Sequence, residues 1–324
     1  MTAPLRAAVT LEQCWHVVPG GVARVAVEGA RAVAGTGEVD QVGVAAWHRG
    51  RPAPGGELPI PVRHLPLPRA ALYESWHRFR RPAVERATGP VEVVHATGYV
   101  MPPRSVPLVA TIHDLHFLHE PGHFTPRGVR VFTRFLELCR AEASIVVCPS
   151  QDARRDCLAA GLDEARIRVV PWGIRAEPVP ADEVAAVRAR HGLARPYVLF
   201  VGTVEPRKNL DRLVAAFAEL GRADVELVLV GPDGWGDGLT LPATARRLGP
   251  VPDRVRDALH AGAAAVAYPS QREGFGLPVL EAMAQGAPVV TSRGTSTPVV
   301  AGPAGVLVDT LDVASIAAGL ATVL

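Results

Sequence analysis

The chain has 324 residues, a formal net charge of +2 at neutral pH, 48% apolar residues and 20% charged residues. This length exceeds the roughly 250 to 300 residues at which one hydrophobic core stops growing, so a single small module is excluded and two domains are expected. The balanced composition excludes a disordered or fibrous chain, and the near-neutral charge gives no indication of nucleic-acid binding.

The cysteines and the N-terminus indicate the compartment. Four cysteines are scattered without the paired spacing of a metal site: Cys14, Cys139, Cys148 and Cys157. Their apolar or helical surroundings predict buried, reduced thiols rather than a disulfide framework. The first residues lack a basic segment followed by a long apolar one, and no 18-residue apolar run occurs. We therefore expect a cytoplasmic protein with at most peripheral contact at the inner face of a membrane.

In the N-terminal half, short runs rich in Val, Ile and Leu alternate with longer Ala-, Leu- and Arg-rich stretches. This alternation predicts βα units and a largely parallel sheet. The predicted strands are 5–11, 41–47, 60–65, 91–95, 107–113, 144–148 and 167–170. The predicted helices are 22–34, 70–88, 126–143 and 151–160. Four arginines make helix 70–88 basic, so we expect a solvated face there, with contact to an anionic lipid or acceptor as the alternative.

Three prolines around a single predicted helix, 182–191, suit a hinge, so we place the domain boundary near residue 174. The two predicted domains are 1–174 and 175–324. A second alternation follows the hinge. Its predicted strands are 197–201, 226–230, 264–268 and 288–291, and its predicted helices are 210–220, 253–261 and 277–285. Both halves therefore have the pattern of doubly wound α/β domains.

The loop after strand 197–201 is a candidate anion site. It leaves the strand through Gly202 and delivers Arg207 and Lys208 to the start of a helix, where unpaired N–H groups and the helix dipole add to the two cations. Lys208 and Asn209 are the only Lys and the only Asn of the chain. This usage indicates a need for a compact ammonium there. The alternative is an Asn N-cap beside two solvated cations.

The loop after strand 264–268 is the second candidate. Glu273 and the segment 274–276, Gly-Phe-Gly, lead into a helix with Pro278 in its first turn. The glycines allow close backbone approach to a ligand, and the exposed N–H groups suit a phosphate. Glu281 follows one turn later, so one carboxylate can address a sugar and the other a ribose diol. The alternative is a solvated Glu281 and a Glu273 that only complements the helix dipole.

Histidines cluster at residues 113–123, and His119 and His123 form the string His-Glu-x-x-His of zinc proteases. Pro121 and Gly122 interrupt the helix that this motif requires, so we interpret His116, His119 and His123 as loop residues and expect no metal site.

His113 is different, because it ends a predicted apolar strand where a ligand site would open; a structural histidine is the alternative. Trp172 and Trp235 are candidates for stacking on a sugar or base, with local packing as the alternative. The segment 274–276 begins like a dinucleotide fingerprint but lacks its third glycine. No P-loop and no nucleophile elbow occurs, which argues against those enzyme classes.

The motifs EPRKN and REGFGLPVLEAMA, with their Glu-x7-Glu spacing, resemble those of the retaining nucleotide-sugar glycosyltransferases of family 4. The resemblance covers nearly the whole chain. Its other segments are PGGVAR (19–24), VVHATG (93–98), PLVATIHDL (107–115), VVCPSQDARRD (146–156) and RVVPWGI (168–174). It implies the GT-B fold, with two facing Rossmann-like domains, of which the first is the acceptor side and the second binds the nucleotide sugar.

The resemblance also implies roles for individual residues. Arg207 and Lys208 would hold the donor diphosphate together with the main-chain N–H groups of Gly276 and Leu277. Glu281 would bind the ribose hydroxyls. The resemblance places further residues around the donor: Glu273 and His113 at the sugar, Val251 near the base, Gly20 and Gly21 in a flexible loop near the phosphates, and Gly202, Thr203, Gly274 and Phe275 in the two donor loops.

The expected activity is the transfer of a hexose, with mannose as the suggested sugar, to a glycan, lipid-linked or other cell-envelope acceptor. The expected mechanism is retaining and uses no metal or other cofactor. A GT-B epimerase or phosphorylase is a rival, but a pyridoxal-phosphate phosphorylase needs a lysine for its cofactor and Lys208 lies in the diphosphate loop. The other alternative is a non-catalytic sugar-nucleotide-binding GT-B protein. Three departures favour it: Thr203 where some members have Arg, Val299 where a Glu is common, and a C-terminus that stops at Leu324.

Overall fold

The computed structural model describes residues 3–17, 19–54, 56–234 and 238–324. The chain divides into two compact units, one ending at Gly173 and the other beginning at Ile174. Each unit contains one sheet, and every strand pairing within the described residues is parallel. The predicted α/β class with two parallel sheets is therefore confirmed.

The N-terminal unit is built from βα units. Its strands are β1 (Leu5–Thr10), β2 (Val39–Ala45), β3 (Val62–His64), β4 (Val93–Ala96), β5 (Leu108–Thr111), β6 (Ile145–Cys148) and β7 (Ile167–Val169). Its helices are α1 (Gly20–Thr36), α2 (Arg69–Glu74), α3 (Glu85–Thr88), α4 (His116–His119), α5 (Pro126–Glu142) and α6 (Gln151–Ala159). The strand order is β3-β2-β1-β4-β5-β6-β7. The direction of winding reverses between β1 and β4, as in doubly wound domains.

The core of this unit consists mainly of Val, Leu and Ala side chains from the strands, together with one face of α5. Helix α5 begins after Thr125, whose side chain accepts a hydrogen bond from Gly128 N at 3.1 Å, and Pro126 occupies the first helical position, where a missing N–H has no cost. All four cysteines of the chain are buried free thiols, which confirms the prediction made for them.

The predicted helix 70–88 is wrong. Helix α2 continues as a π-helical turn over Ser75–Phe79 and stops at Arg80, which has φ +52. Pro82 cannot continue a helix. The Arg80 guanidinium donates to the Trp76 carbonyl at 2.6 Å, which a longer helix would pair with a backbone N–H, and also to the Met101 carbonyl at 2.8 Å. The arginines of the predicted helix 70–88 therefore do not lie on one helical face, and Arg80 also pairs with Glu142.

The C-terminal unit has the same design. Its strands are β8 (Tyr197–Val201), β9 (Glu226–Val230), β10 (Ala245–Gly249), β11 (Ala265–Tyr268), β12 (Val289–Ser292) and β13 (Val306–Val308). Its helices are α7 (Ala181–Arg190), α8 (Leu210–Glu219), α9 (Asp253–Ala261), α10 (Leu277–Ala284), α11 (Thr297–Ala301) and α12 (Val313–Val323). The strand order is β10-β9-β8-β11-β12-β13, so the winding reverses between β8 and β11. The inner strands β8, β9, β11 and β12 are buried along their whole length, as expected for a sheet covered on both faces.

The two edge strands of this sheet, β10 and β13, and helix α11 were not predicted from the sequence. Strand β10 carries Arg246 and Arg247, which are exposed and pair with Glu226 and Asp233, so it lacks the apolar run of a buried strand. Strand β13 has only three residues. Helix α12 packs on the sheet through Gly319, because a Cβ built there would lie 2.4 Å from Val308 Cγ1 and 3.0 Å from Val290 Cγ1.

The close approach of Gly319 to the sheet predicts whether an alanine there stabilises or destabilises the helix. Gly319→Ala should destabilise α12 by roughly 1 to 3 kcal/mol through overpacking, which exceeds the helix-propensity gain. Gly29→Ala is the matched control: Gly29 also lies inside a helix but has nothing within 4 Å of its Cβ position, so it should stabilise α1 by roughly 0.5 to 1 kcal/mol. Native-state hydrogen exchange of each helix measures both effects. Equal signs for the two substitutions would contradict the packing argument.

Candidate functional site

Two loops leave the C-terminal sheet on either side of the point where its winding reverses. Residues 202–209 follow β8, and residues 269–276 follow β11, its neighbour in the sheet. In doubly wound sheets, ligands bind at the carboxyl ends of the strands at such a point. The backbone joins the two loops directly, since Gln271 N donates to the Arg207 carbonyl at 2.9 Å. The two candidate loops of the sequence are therefore brought together.

The centre of this site is an ion pair between Lys208 and Glu273. Lys208 Nζ lies 2.6 Å from Glu273 Oε1, and their side chains are only 6% and 9% exposed. Arg207 Nη1 lies 3.3 Å from the same carboxylate oxygen, and Arg207 Nε lies 2.6 Å from Glu205 Oε1. Lys208 is also hydrogen-bonded to the Tyr268 hydroxyl, above whose ring its Nζ lies at 4.8 Å from the centroid. The interpretation of Lys208 as a solvated cation is therefore wrong.

The charges of this cluster set the ionisation of its members. Burial acts to raise the pKa of Glu273, but the positive charges of Lys208 and Arg207 outweigh it and hold that pKa at about 2. Burial, and after it the charge of Arg207, lower the pKa of Lys208. Burial, and after it the charge of Glu273, raise the pKa of Tyr268 well above its usual value. At neutral pH the site therefore holds an ionised carboxylate and a protonated tyrosine.

The N-terminus of α10 borders this cluster. Gly276 has φ +105, and a Cβ there would lie 2.7 Å from Thr297 Cγ2, so the position requires glycine. Pro278 has no N–H, and the N–H groups of Gly276 and Leu277 have no hydrogen-bond partner among the described residues. Ser296 Oγ donates to the Glu273 carbonyl at 2.8 Å and fixes the loop from the other side. The arrangement can bind an anion between two N–H groups and two cations.

Glu281 lies in α10 and is 7% exposed, so it is not the solvated helix residue of the alternative interpretation. Its Oε2 lies 3.5 Å from Arg256 Nε on α9. Arg256 also pairs with Asp253 and Asp257, at 2.6 and 2.9 Å. Arg256 therefore helps to orient Glu281. It could not be singled out from the sequence, because it lies in an ordinary amphipathic helix.

Asn209 connects three loops at this edge of the sheet. Its Nδ2 donates to the carbonyls of Pro269 and Thr310, at 3.1 and 2.6 Å, and its Oδ1 accepts from Arg212 and Gln271, at 2.9 and 3.3 Å. The residue stands at the N-cap position of α8 with φ +61, and its side chain makes no capping hydrogen bond. The predicted N-cap role is therefore wrong, and the side chain of the only Asn joins the loops instead.

The remaining residues predicted for the donor side lie around the same edge. Gly202 and Thr203 follow β8, Gly274 and Phe275 precede α10, and Val251 follows β10. Thr203 contributes no charge at the position where some family 4 members have Arg. Val299, where a carboxylate is common, is 80% exposed on α11.

His113, Gly20 and Gly21 belong to the N-terminal unit. Helix α1 begins at Gly20, so Gly21 lies in a helix and not in the predicted loop, whereas Gly20 itself has a left-handed φ of +61. His113 Nε2 lies 2.8 Å from the Thr97 carbonyl, which can only accept, so Nε2 carries the proton and Nδ1 is an acceptor. Burial lowers the pKa of His113, so its ring is neutral at neutral pH. Trp172 packs against it at 5.6 Å between ring centroids, and Trp235 lies outside the described residues.

The His-Glu-x-x-His string does not form a helix. His119 ends α4 and pairs with Asp156 at 3.0 Å, and His123 ends a separate 3-10 turn, with Nδ1 3.1 Å from His116 Nε2. The loop interpretation of these histidines is thus only partly right, because His116 is buried within the helical turn. Across the described ranges, no group of three or more His, Cys, Asp or Glu residues is placed to hold a metal ion.

Sequence reasoning missed Glu205, Tyr268 and Arg256. Glu205 lies two residues before the predicted Arg-Lys pair, with Pro206 between them, so an acidic residue this close to two cations was a usable signal. Tyr268 is the last residue of β11 and resembles a core aromatic in the sequence. Its partner Lys208 lies 60 positions away, and only the parallel sheet brings them together.

Comparison with known proteins places this geometry in a class. The sequence model for "Glycosyltransferase Family 4" matches residues 19–178, and that for "Glycosyl transferases group 1" matches residues 185–324. The crystal structure of HepE from Anabaena in complex with UDP and glucose is similar over 98% of this chain and 89% of that chain, with a TM-score of 0.73 and 19% identity. The structure is thus a GT-B fold, as predicted.

Two curated relatives identify the family. The O-antigen chain mannosyltransferase B of Escherichia coli is 33% identical over 70% of this chain and 63% of its own length. The D-inositol 3-phosphate glycosyltransferase 1 of Catenulispora acidiphila is 31% identical over 90% of this chain and 79% of its own length. The chain belongs to glycosyltransferase family 4. It spans somewhat less than two thirds of the E. coli relative.

Within the described part of the chain, no helix has both the length and the apolar character that crossing a membrane requires.

The loop junction at Asn209 yields a stability prediction. Asn209→Ala removes both carbonyl partners and leaves a non-glycine residue at positive φ, so we expect a loss of roughly 2 to 4 kcal/mol. Asn209→Gly removes the same hydrogen bonds without the backbone strain and should lose about 1 kcal/mol less. Asp211→Ala, on the exposed face of the next turn, is the control. Chemical denaturation measures all three; a stable Asn209→Gly variant would show that the junction contributes little.

Proposed function

We propose that the protein is a retaining glycosyltransferase that transfers a hexose, with mannose as the first candidate, from a nucleoside diphosphate sugar. The observation that carries this proposal is the arrangement of two neighbouring loops at the C-terminal sheet edge: Lys208 and Arg207 lie against Glu273, and the helix that follows Glu273 begins with the N–H groups of Gly276 and Leu277. Family membership and the relative named as a mannosyltransferase support the choice of donor.

The chemistry centres on the leaving group. In the transfer, the bond between the anomeric carbon and the diphosphate oxygen breaks, and the acceptor oxygen forms the new bond on the same face of the sugar. The acceptor proton passes to the departing phosphate. Lys208, Arg207 and the N-terminus of α10 would stabilise the negative charge that develops on the diphosphate. Because two side-chain cations supply this charge, we propose that the reaction needs no metal or other cofactor.

The carboxylates would address the neutral parts of the donor. Glu281, held by Arg256, is suited to accept from the two hydroxyls of a ribose. Glu273 is ionised and can accept from sugar hydroxyls once the diphosphate shares its cations. His113 Nδ1 would accept from another sugar hydroxyl.

The acceptor would bind to the N-terminal unit. A recess there is lined by Trp15, Pro52, Ala53 and residues 56–62. Trp15 is held in place by its indole N–H, which donates to the Arg51 carbonyl at 2.9 Å, and by stacking on His48 at 4.9 Å. A fixed aromatic face next to prolines suits a sugar ring or a lipid chain. We propose a glycan or lipid-linked acceptor, used on the cytoplasmic side of a membrane.

The alternative is a sugar-nucleotide-binding protein without turnover. The observations that favour it are Thr203 in place of a third cation and the uncharged, exposed Val299.

A panel of nucleotides and nucleotide sugars separates the two functions. Calorimetry with UDP, GDP and ADP identifies the base, and the corresponding nucleotide sugars are then tested for release of free sugar and for transfer. We expect binding of one diphosphate and slow release of free sugar, with the α-anomeric configuration of an α-linked donor retained in NMR spectra. Binding without turnover would support the alternative, and an inverted product would contradict the retaining mechanism.

Glu273→Gln separates catalysis from binding. Loss of the Glu273 carboxylate should lower turnover by about 100-fold or more, as for removal of a transition-state contact. Diphosphate affinity should stay the same or increase, because Lys208 and Arg207 no longer share their charge with a carboxylate. Glu219→Gln, on the exposed surface of α8, is the matched control. Turnover and calorimetric affinity are measured for both variants, and near-normal turnover of Glu273→Gln would remove Glu273 from the catalytic step.

A further inference from the structure

A tyrosine hydroxyl lies at the end of a buried strand, next to the ammonium of Lys208. Tyr268 ends β11 and is 1% exposed, and its ring stacks on that of Phe200 on β8 at 5.7 Å between centroids and 15° between planes. A phenylalanine would fill the same space. The hydroxyl therefore needs a separate explanation, since a buried hydroxyl without a partner is costly.

The hydroxyl accepts a hydrogen bond from Lys208 Nζ, and its own proton is donated to the carboxylate of Glu273. An ammonium has three N–H donors. One is directed to Tyr268 and a second to Glu273 Oε1 at 2.6 Å, and the third has no partner among the residues that the structure describes. The ammonium is thus held at two points and keeps one donor for a ligand.

We propose that Tyr268 is a positioning residue of the diphosphate site: its hydroxyl holds the ammonium of Lys208 beside Glu273, so that the third N–H can bind a phosphate oxygen. This inference rests on the proposed function, because it assumes that the site takes a diphosphate. Tyr268 retains its proton, so it accepts from Lys208 without adding a negative charge that would repel the ligand.

Tyr268→Phe tests the proposal, because it keeps the stacked ring and removes only the oxygen. The probe is inorganic pyrophosphate, with UDP, GDP and ADP in parallel, and calorimetry gives the dissociation constants. We expect about fivefold weaker binding, the scale of one hydrogen bond. Tyr197→Phe is the matched control, because it removes a buried hydroxyl that donates to the Leu259 carbonyl at 2.7 Å in the same sheet, away from Lys208. It should lower the melting temperature and leave affinity unchanged.

The pH dependence of binding distinguishes positioning from a structural effect. The groups that face Lys208 are Glu205, Arg207, Tyr268 and Glu273. Binding requires the ammonium, so affinity falls as pH rises through the pKa of Lys208, which burial already lowers. Without the hydroxyl, the ammonium loses an acceptor and its pKa falls further. The alkaline loss of affinity should therefore occur at lower pH in Tyr268→Phe than in the wild type, and at the same pH in Tyr197→Phe.

A double-mutant cycle completes the test. Lys208→Met should weaken pyrophosphate binding by at least tenfold, and Tyr268→Phe should add almost nothing in that background. An equal effect of Tyr268→Phe with and without Lys208, or an unchanged affinity and pH profile, would overturn the positioning role while leaving the proposed function intact. If the wild-type protein binds none of the four probes, the proposed function fails and the positioning role fails with it.

Discussion

A buried ammonium is the constraint on which the C-terminal unit depends. Removing the charge of Lys208 from water is costly unless an opposite charge and further acceptors are close. Glu273 supplies the charge at 2.6 Å and Tyr268 supplies the neutral acceptor. Both come from the end of β11, whereas Lys208 follows β8, so the parallel pairing of these strands assembles the cluster. The same pairing creates the point where the winding reverses, and fold and site thus have one origin.

The loops around this cluster are held by a small number of polar contacts. Asn209 joins the loops after β8, β11 and β13, and Ser296 holds the Glu273 carbonyl. These contacts hold the loops through the protein's own groups, and such preorganisation favours electrostatic stabilisation of a transition state. Glu281 is prepared in the same way by Arg256 on a neighbouring helix.

The sequence predicted what depends on local pattern. The apolar runs of the inner strands and the glycines and charges of the two loops were sufficient for the fold class and for the two loops that bring Lys208 and Glu273 together. It failed where long-range contacts decide. Strand β10 was not predicted, because its arginines interrupt the apolar pattern of a strand. The periodicity predicted a helix over 70–88, which ends earlier at Arg80 and Pro82. Helix α1 begins at Gly20, two residues before the predicted start. Tyr268 and Arg256 could not be found, because their partners are far away in the sequence and their own surroundings look like ordinary core and helix.

The cations of the site have their own counterions. Glu205 and Glu273 lie against Arg207 and Lys208, so the formal charges of these four side chains cancel. A neutral cluster produces a weak field beyond its immediate surroundings, and screening by dissolved salt then has little field to weaken. The rate at which the site captures an anion should accordingly vary little with ionic strength, and selectivity for diphosphate arises at contact rather than during approach.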